Sequence, residues 1–460
     1  MPIFEAKPTD VTLPRAVRAD EARSRREQIP RNAHSEFTAP VDRDPLAILN
    51  AQNRNRLADL VPVRWGRMAQ SPFAFLRGAA AVMAADLATT PTTGLSVQAC
   101  GDAHLMNFGG FASLERREVF DLNDFDETLP GPWEWDVKRL ATSAVVGALD
   151  HGIDRDTARS LAVDTVKAYA ETMAQLAEMD TLDSWYLQFE IERELMPELP
   201  KSARAMARHA VDKMRTRTAA SLMPKLTSLT DGGRRIIEQP PLIMHTDVHR
   251  HERELIEAFL VEYFDSLSPA RRLLLRRFSL VDTARKVVGV GSVGTRCHIA
   301  LLVTGDDEVM FLQVKEAPPS VLESHCGPYQ GPGGRRVVEG QQLIQTAGDP
   351  LLGWASVNTE HHGALDFYVR QLRDMKYSVR LEDFTAVGWS KYLRLCGSTL
   401  ARAHCRTGDA AAISGYLGGG NRFATAVAQW SVAYADMTVA DHARLVAAID
   451  SGTIEAQLGV

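Results

Sequence analysis

The stretch Leu95-Ser-Val-Gln-Ala-Cys-Gly101-Asp102-Ala-His104-Leu-Met-Asn107 decides how this chain is read. Residues 95–99 alternate like a strand. The loop after them holds a carboxylate, an imidazole and a carboxamide. Residues 118–122 read as a second strand, ending at Asn123-Asp124-Phe125-Asp126. Phosphoryl transfer asks little covalent chemistry of a protein. It needs one group to orient a hydroxyl and oxygen ligands for a hard divalent cation. Asp102 is the candidate base, His104 shares its loop, and Asn107 and Asp124 are the candidate metal ligands. A bend at Gly131-Pro132-Trp133-Glu134-Trp135 leads to a helix from Asp136. There Val137, Leu140, Ala141, Ala144, Val145 and Ala148 form one apolar stripe, stopped by Gly152. Upstream, Ser71 and Pro72 are a cap and a first helical residue, which predicts a helix over 72–87.

A second cluster lies far downstream, at Gly289-Val-Gly291-Ser292-Val-Gly294. A dinucleotide fingerprint would open a helix, whereas residues 295–303 are strand-like. The pattern predicts strands over 286–290, 297–303 and 309–315 in an antiparallel meander, with the glycines at a hairpin tip suited to cover phosphates. Lys315, on the third strand, is placed to grip phosphate oxygens. A helix over 336–346 follows, and its Glu339 is the expected partner of Lys315. Residues 367–369 read as a further strand; in a phosphotransferase reading, adenine would lie against the segment after it, near Leu372 to Met375. From about 383 the chain is mainly helical, as are residues 155–280 apart from a break near 230–241. Other features have blander readings. His245, Asp247, His249 and His251 suggest a metal cluster but lack the asparagine spacing. Arg64, Arg67 and Arg77 suit either an anionic substrate or surface ion pairs. Trp133 and Trp135 suit core packing.

Taken together, the two clusters resemble the halves of a protein-kinase-like fold. Gly101-Asp102-x-His104-x-x-Asn107 is similar to the aminoglycoside and choline kinase catalytic loop, and Asp124-Phe125-Asp126 to the Asp-Phe-Gly segment. In those enzymes the glycine loop comes first; here it comes last, which implies a circular permutation. The resemblance implies an α+β bilobal fold that takes ATP and Mg²⁺. An arm over 1–45, mobile or wrapping, would precede a helical lobe over 46–280. A β-rich nucleotide lobe over 281–380 and C-terminal helices over 381–460 would follow. Its expected partners are a nucleotide and a hydroxyl-bearing acceptor. The chain also resembles an uncharacterised bacterial family, domain of unknown function 2252, in Arg64-Trp-Gly-Arg67-Met, Ser71-Pro-Phe-Ala-Phe-Leu-Arg77-Gly, Phe120-Asp-Leu-Asn-Asp-Phe-Asp-Glu127 and Phe367-Tyr-Val-Arg-Gln-Leu-Arg-Asp-Met-Lys376. The residues leave open a metal-dependent phosphoesterase, a non-catalytic nucleotide-binding module and an AMP transferase.

Composition narrows the classes. The 460 residues carry 52 Lys+Arg against 58 Asp+Glu, a net charge of −6 that gives no global pull towards nucleic acid. The longest nearly apolar run, 78–85, is far too short to span a bilayer. Five scattered cysteines without a CxxC pair fit reduced thiols and a cytoplasmic setting.

Overall fold

A computed structural model describes residues 13–196, 201–216, 218–230, 233–245, 259–359, 363–372 and 377–459. The architecture is α+β. It opens with helices α1 (Arg15–Ser24), α2 (Pro45–Asn53), α3 (Val61–Met68), α4 (Pro72–Gly78) and α5 (Ala80–Leu87). Ser71 caps α4 through the Ala74 amide, ahead of a proline. The single helix expected over 72–87 is split at Ala79. Arg64 donates to the Gly78 carbonyl at 3.0 Å and Arg139 to the Leu76 carbonyl at 2.7 Å. Two guanidinium groups thus take over acceptors of the helical ladder, and the chain bends.

Strand β1 (Ser96–Ala99) enters the loop around Asp102. A hairpin follows, β2 (Phe108–Ala112) with β3 (Glu118–Leu122), and then β4 (Leu129–Pro132), which returns antiparallel to β1. Helix α6 (Trp133–Asp150) begins directly off Pro132, earlier than the expected Asp136. It packs with α7 (Arg155–Glu178). Residues 155–280 are less uniformly helical than expected. Helices α8 (Lys201–Arg215) and α9 (Ala219–Leu226) are followed by the hairpin β5 (Thr227–Thr230) with β6 (Gly233–Ile236), then by β7 (Ile243–Met244).

The meander is β8 (Ser279–Lys286), β9 (Cys297–Val303) and β10 (Val309–Glu316). The first strand lies earlier than 286–290, because Gly289 and Gly294 take positive φ of 66° and 88° and leave the extended region. The glycines therefore sit in a long connection and not at a tight tip. Helix α10 (Gly333–Ile344) precedes β11 (Gly353–Thr359) and β12 (Gly363–Gln371), and the expected strand 367–369 is the inner part of β12. The sheet runs β11-β12-β10-β9-β8-β7. Leu302, Met310 and Leu312 pack with Tyr263 and Leu267, while Ile299, Leu301 and Phe311 pack with Leu222, Leu226 and Ile236. Leu222, Leu226, Ile236, Ile243, Tyr263 and Leu267 thus side with the sheet.

Strand β13 (Tyr377–Ser378) joins β2, and the chain closes with α11 (Ala386–Cys405), α12 (Ala410–Leu417) and α13 (Asn421–Asp450). The main core lies among α6, α7, α11 and α13, where Trp133 stacks on Tyr169 and Trp430 on Tyr434. Residues 13–44 wrap this body. Arg26 and Arg31 donate at 2.8 Å to the Tyr416 and Leu417 carbonyls at the end of α12. Among the described residues no helix is long and apolar enough to cross a membrane.

Candidate functional site

The loop after β1 is shaped by its backbone. Gly101 has φ +83°, and a Cβ there would lie 2.2 Å from the Glu127 carbonyl oxygen, so only glycine lets the two segments meet. Asp136, in the first turn of α6, accepts the amides of Cys100 at 2.6 Å and Gly101 at 3.0 Å. His404 Nε2 lies 3.1 Å from the same carboxylate. In the next turn of α6, Arg139 donates through Nε to Asp102 Oδ1 at 2.8 Å. The other carboxylate oxygen, Oδ2, is 3.8 Å from His104 Nε2, beyond hydrogen-bond reach. His104 Nδ1 accepts the Met106 amide at 3.2 Å, which puts the ring proton on Nε2. Asn107 donates through Nδ2 to the Asp102 carbonyl at 2.7 Å, so its oxygen points the other way.

Burial pushes the Asp102 carboxyl above the usual range, against the pull of Arg139. Burial holds His104 well below its ordinary value, helped by Arg77 and Arg139, so the imidazole is neutral. Asp124 Oδ1 accepts the Asp126 amide at 3.3 Å. Burial raises Glu127 to about 7, although it accepts the Val321 amide at 2.8 Å.

Lys315 reaches this loop from the sheet. It is 2% exposed and forms an ion pair with Asp126, whose other oxygen accepts the Tyr368 hydroxyl at 2.7 Å. Burial works against the Lys315 charge, but Asp126, Tyr368 and Asp124 outweigh it and hold the ammonium above its usual range. The expected Lys315–Glu339 pair is not made. Glu339 binds Arg335 at 2.7 Å and the Tyr329 hydroxyl at 2.7 Å, because its place on α10 faces the 326–332 loop. Leu372 is not brought to the Asp102 loop either. It packs with the cluster of Phe311 and Leu226 and lines a separate cavity of about 160 Å³ beside Arg370 and Asn123.

One cleft of about 600 Å³ gathers Asp102, His104, Asn107 and Asp124 with Gly289, Gly291 and Ser292. Gly294 stands beside it, where a Cβ would meet Arg56 Cβ at 3.0 Å. The glycine connection is anchored rather than free. Arg67 donates to the Gly289 carbonyl, Arg56 to that of Val293, and the Leu57 amide to that of Gly294 at 2.8 Å. Arg64 is buried in hydrogen bonds to Gln52, Asn53 and Gly78. His245 binds Glu238 and Asp282 away from the cleft, and Asp247, His249 and His251 lie outside the described residues.

Among the described residues no group of three or more His, Cys, Asp and Glu side chains is placed to hold a metal. Asn107 and Asp124 offer an amide and a carboxylate oxygen. This hard, sparse set fits magnesium, which takes one or two protein oxygens when phosphates and water supply the rest. Arg139, Tyr368 and Arg56 are site residues that the sequence reading missed. Arg139 had one visible signal, a cation among the buried positions of α6, in the turn after Asp136.

Two comparisons found nothing, since neither a curated protein nor a solved structure matches the chain. A family model described as an uncharacterized protein conserved in bacteria, DUF2252, matches residues 56–448.

Proposed function

The chain belongs to this bacterial family, and we propose that it is an ATP- and magnesium-dependent phosphotransferase acting on a hydroxyl group, built as a circularly permuted kinase-like fold. One observation carries the reading. Asp102, Asn107 and Asp124 line the same cleft as the glycine connection, and Lys315 joins it through Asp126. The succession of elements supports it as well. A strand, the Asp102 loop, a hairpin and Asp124 form one half. A meander with lysine on its third strand, a helix and a second hairpin form the other.

The arrangement supports a role for each residue. Asp102 Oδ1 is committed to Arg139, so Oδ2 is the oxygen left for an acceptor hydroxyl. Its raised pKa suits a base that takes the proton late. The acceptor oxygen forms its bond to the terminal phosphorus as the bond to the leaving ADP oxygen breaks, and the hydroxyl proton passes to Asp102. Asn107 and Asp124 would hold magnesium, which would supply neutralising charge for phosphate oxygens. Asp126 holds Lys315 and Tyr368, so it fixes where the ammonium meets those oxygens.

The test is single-turnover reaction of ATP labelled at the α or the γ position. Label transferred from γ, or released from it as orthophosphate, supports phosphoryl transfer; label transferred from α, with γ leaving in pyrophosphate, means AMP transfer. Asp102→Asn keeps the shape and should lower turnover by roughly 10²–10⁴ while sparing nucleotide affinity. Asp124→Asn should lower magnesium-dependent affinity and turnover together. Full turnover in Asp102→Asn, or no binding of any nucleoside triphosphate with magnesium, overturns the reading.

A further inference from the structure

Most charges at the cleft are matched. Arg139 pairs Asp102, Lys315 pairs Asp126, and Arg296 pairs Glu316. Two further cations line the cleft, Arg56 and Arg77, and neither pairs with a carboxylate among the described residues. Arg56 spends one donor on the Val293 carbonyl, and its Nε is buried without a partner. Arg77 Nε is also buried without a hydrogen-bond partner. A buried guanidinium donor left unmatched is costly unless something else uses it.

The position of Arg77 is enforced. The carbonyls on either side of it, of Leu76 and Gly78, are held by Arg139 and Arg64, and α4 ends there. The glycine connection crosses directly above, since a Cβ at Gly291 would stand 3.2 Å from the Arg77 carbonyl. It lines the same cleft as Asp102 and Asp124, whose charges act on its guanidinium. Arg77 therefore shares one cleft with the element that would cover phosphates and with the carboxylates that would orient a hydroxyl and hold a metal. A planar fork of donors there matches the paired oxygens of a phosphoryl group.

We propose that Arg77, backed by Arg56, binds the terminal phosphoryl group of a nucleoside triphosphate between the glycine connection and Asp102. This rests on the phosphotransferase reading and names the residue that senses the transferable phosphate. In a loose transition state charge spreads over the equatorial oxygens of that group, where an arginine fork acts. Arg77 is thus a phosphate-binding residue supplied by α4, upstream of β1 and the Asp102 loop.

The test compares magnesium-ADP with a magnesium complex of a non-hydrolysable ATP analogue, by calorimetric titration of the full chain. Arg77→Gln should weaken the triphosphate by roughly 10- to 100-fold, as expected for lost hydrogen bonds to a charged group. ADP affinity should stay unchanged, which also reports an intact fold. Arg77→Lys keeps the charge without the fork and should fall between; it carries the test if Arg77→Gln does not fold. Equal losses for both nucleotides, or no loss for either, overturn the proposal. A wild-type chain that binds neither nucleotide overturns the phosphotransferase reading. In that case inorganic tripolyphosphate is titrated instead, and binding that does not depend on Arg77 overturns the phosphoryl site too.

Discussion

Lys138 illustrates what one side chain on α6 does outside the cleft. It is fully buried, its Nζ lies 4.9 Å from the centre of the Trp430 ring, and it has no hydrogen-bond partner. Burial lowers its pKa to about 7, against the pull of Glu134. A base depressed in the folded state binds fewer protons there than in the unfolded chain, between about 7 and its ordinary ~10.4. Stability from this group therefore rises with pH across that window. Lys138→Met should remove a rise on the order of 4 kcal/mol, read as the difference between wild-type and variant urea unfolding at both ends of the window. Parallel curves would mean that Lys138 keeps its charge when folded. At this scale Asp102, Asn107 and Asp124 were legible because their spacing is local. The partner of Lys315 was not, because it depends on which face of α10 turns inward.

At the scale of elements, α10 shows a docking demand that a sequence pattern hides. A Cβ at Gly333 would lie 2.0 Å from the Ala317 carbonyl oxygen, and one at Gly334 would lie 2.0 Å from that of Phe367. The glycines seat the helix start on the backbone leaving β10 and on β12. The neighbours are main-chain atoms within a sheet and cannot yield. Gly334→Ala should cost about 1–3 kcal/mol, the usual scale of overpacking. Gly348→Ala, where a Cβ would meet nothing within 4 Å, should stay within about 0.5 kcal/mol. Chemical denaturation of both variants checks this; equal effects would refute the close approach. The expected helix over 336–346 starts earlier, at Gly333, and only the packing reveals why glycines stand at its start.

For the whole molecule, the N-terminal arm is a structural strap. Arg43 reaches Asp86 at 2.8 Å on α5 and Asp441 at 2.7 Å on α13, and both carboxylates are buried. Tyr434 adds a 2.6 Å bond to Asp86. Arg43→Ala strands two buried charges and should destabilise the chain by roughly 3–5 kcal/mol. Thermal unfolding measures the loss. A shift worth less than about 1 kcal/mol, the scale of exposed ion pairs, would show that the strap is replaceable.

Features written over a few neighbouring residues could be read from the chain alone: the capped start of α4, the apolar stripe of α6, the antiparallel meander and the Asp102 loop. Periodicity, capping and turn chemistry act over that range, so they can be read without coordinates. Packing set the remainder. It split α4 from α5 through Arg64 and Arg139, moved the first meander strand to Ser279–Lys286, and gave Lys315 to Asp126 and Glu339 to Arg335. It also brought the glycine connection against Arg56, Arg67 and Arg77. Apart from Glu339 with Arg335 on one helix, these outcomes join residues separated by tens to hundreds of positions. They are set by which charges and carbonyls meet once the helices and the sheet have packed.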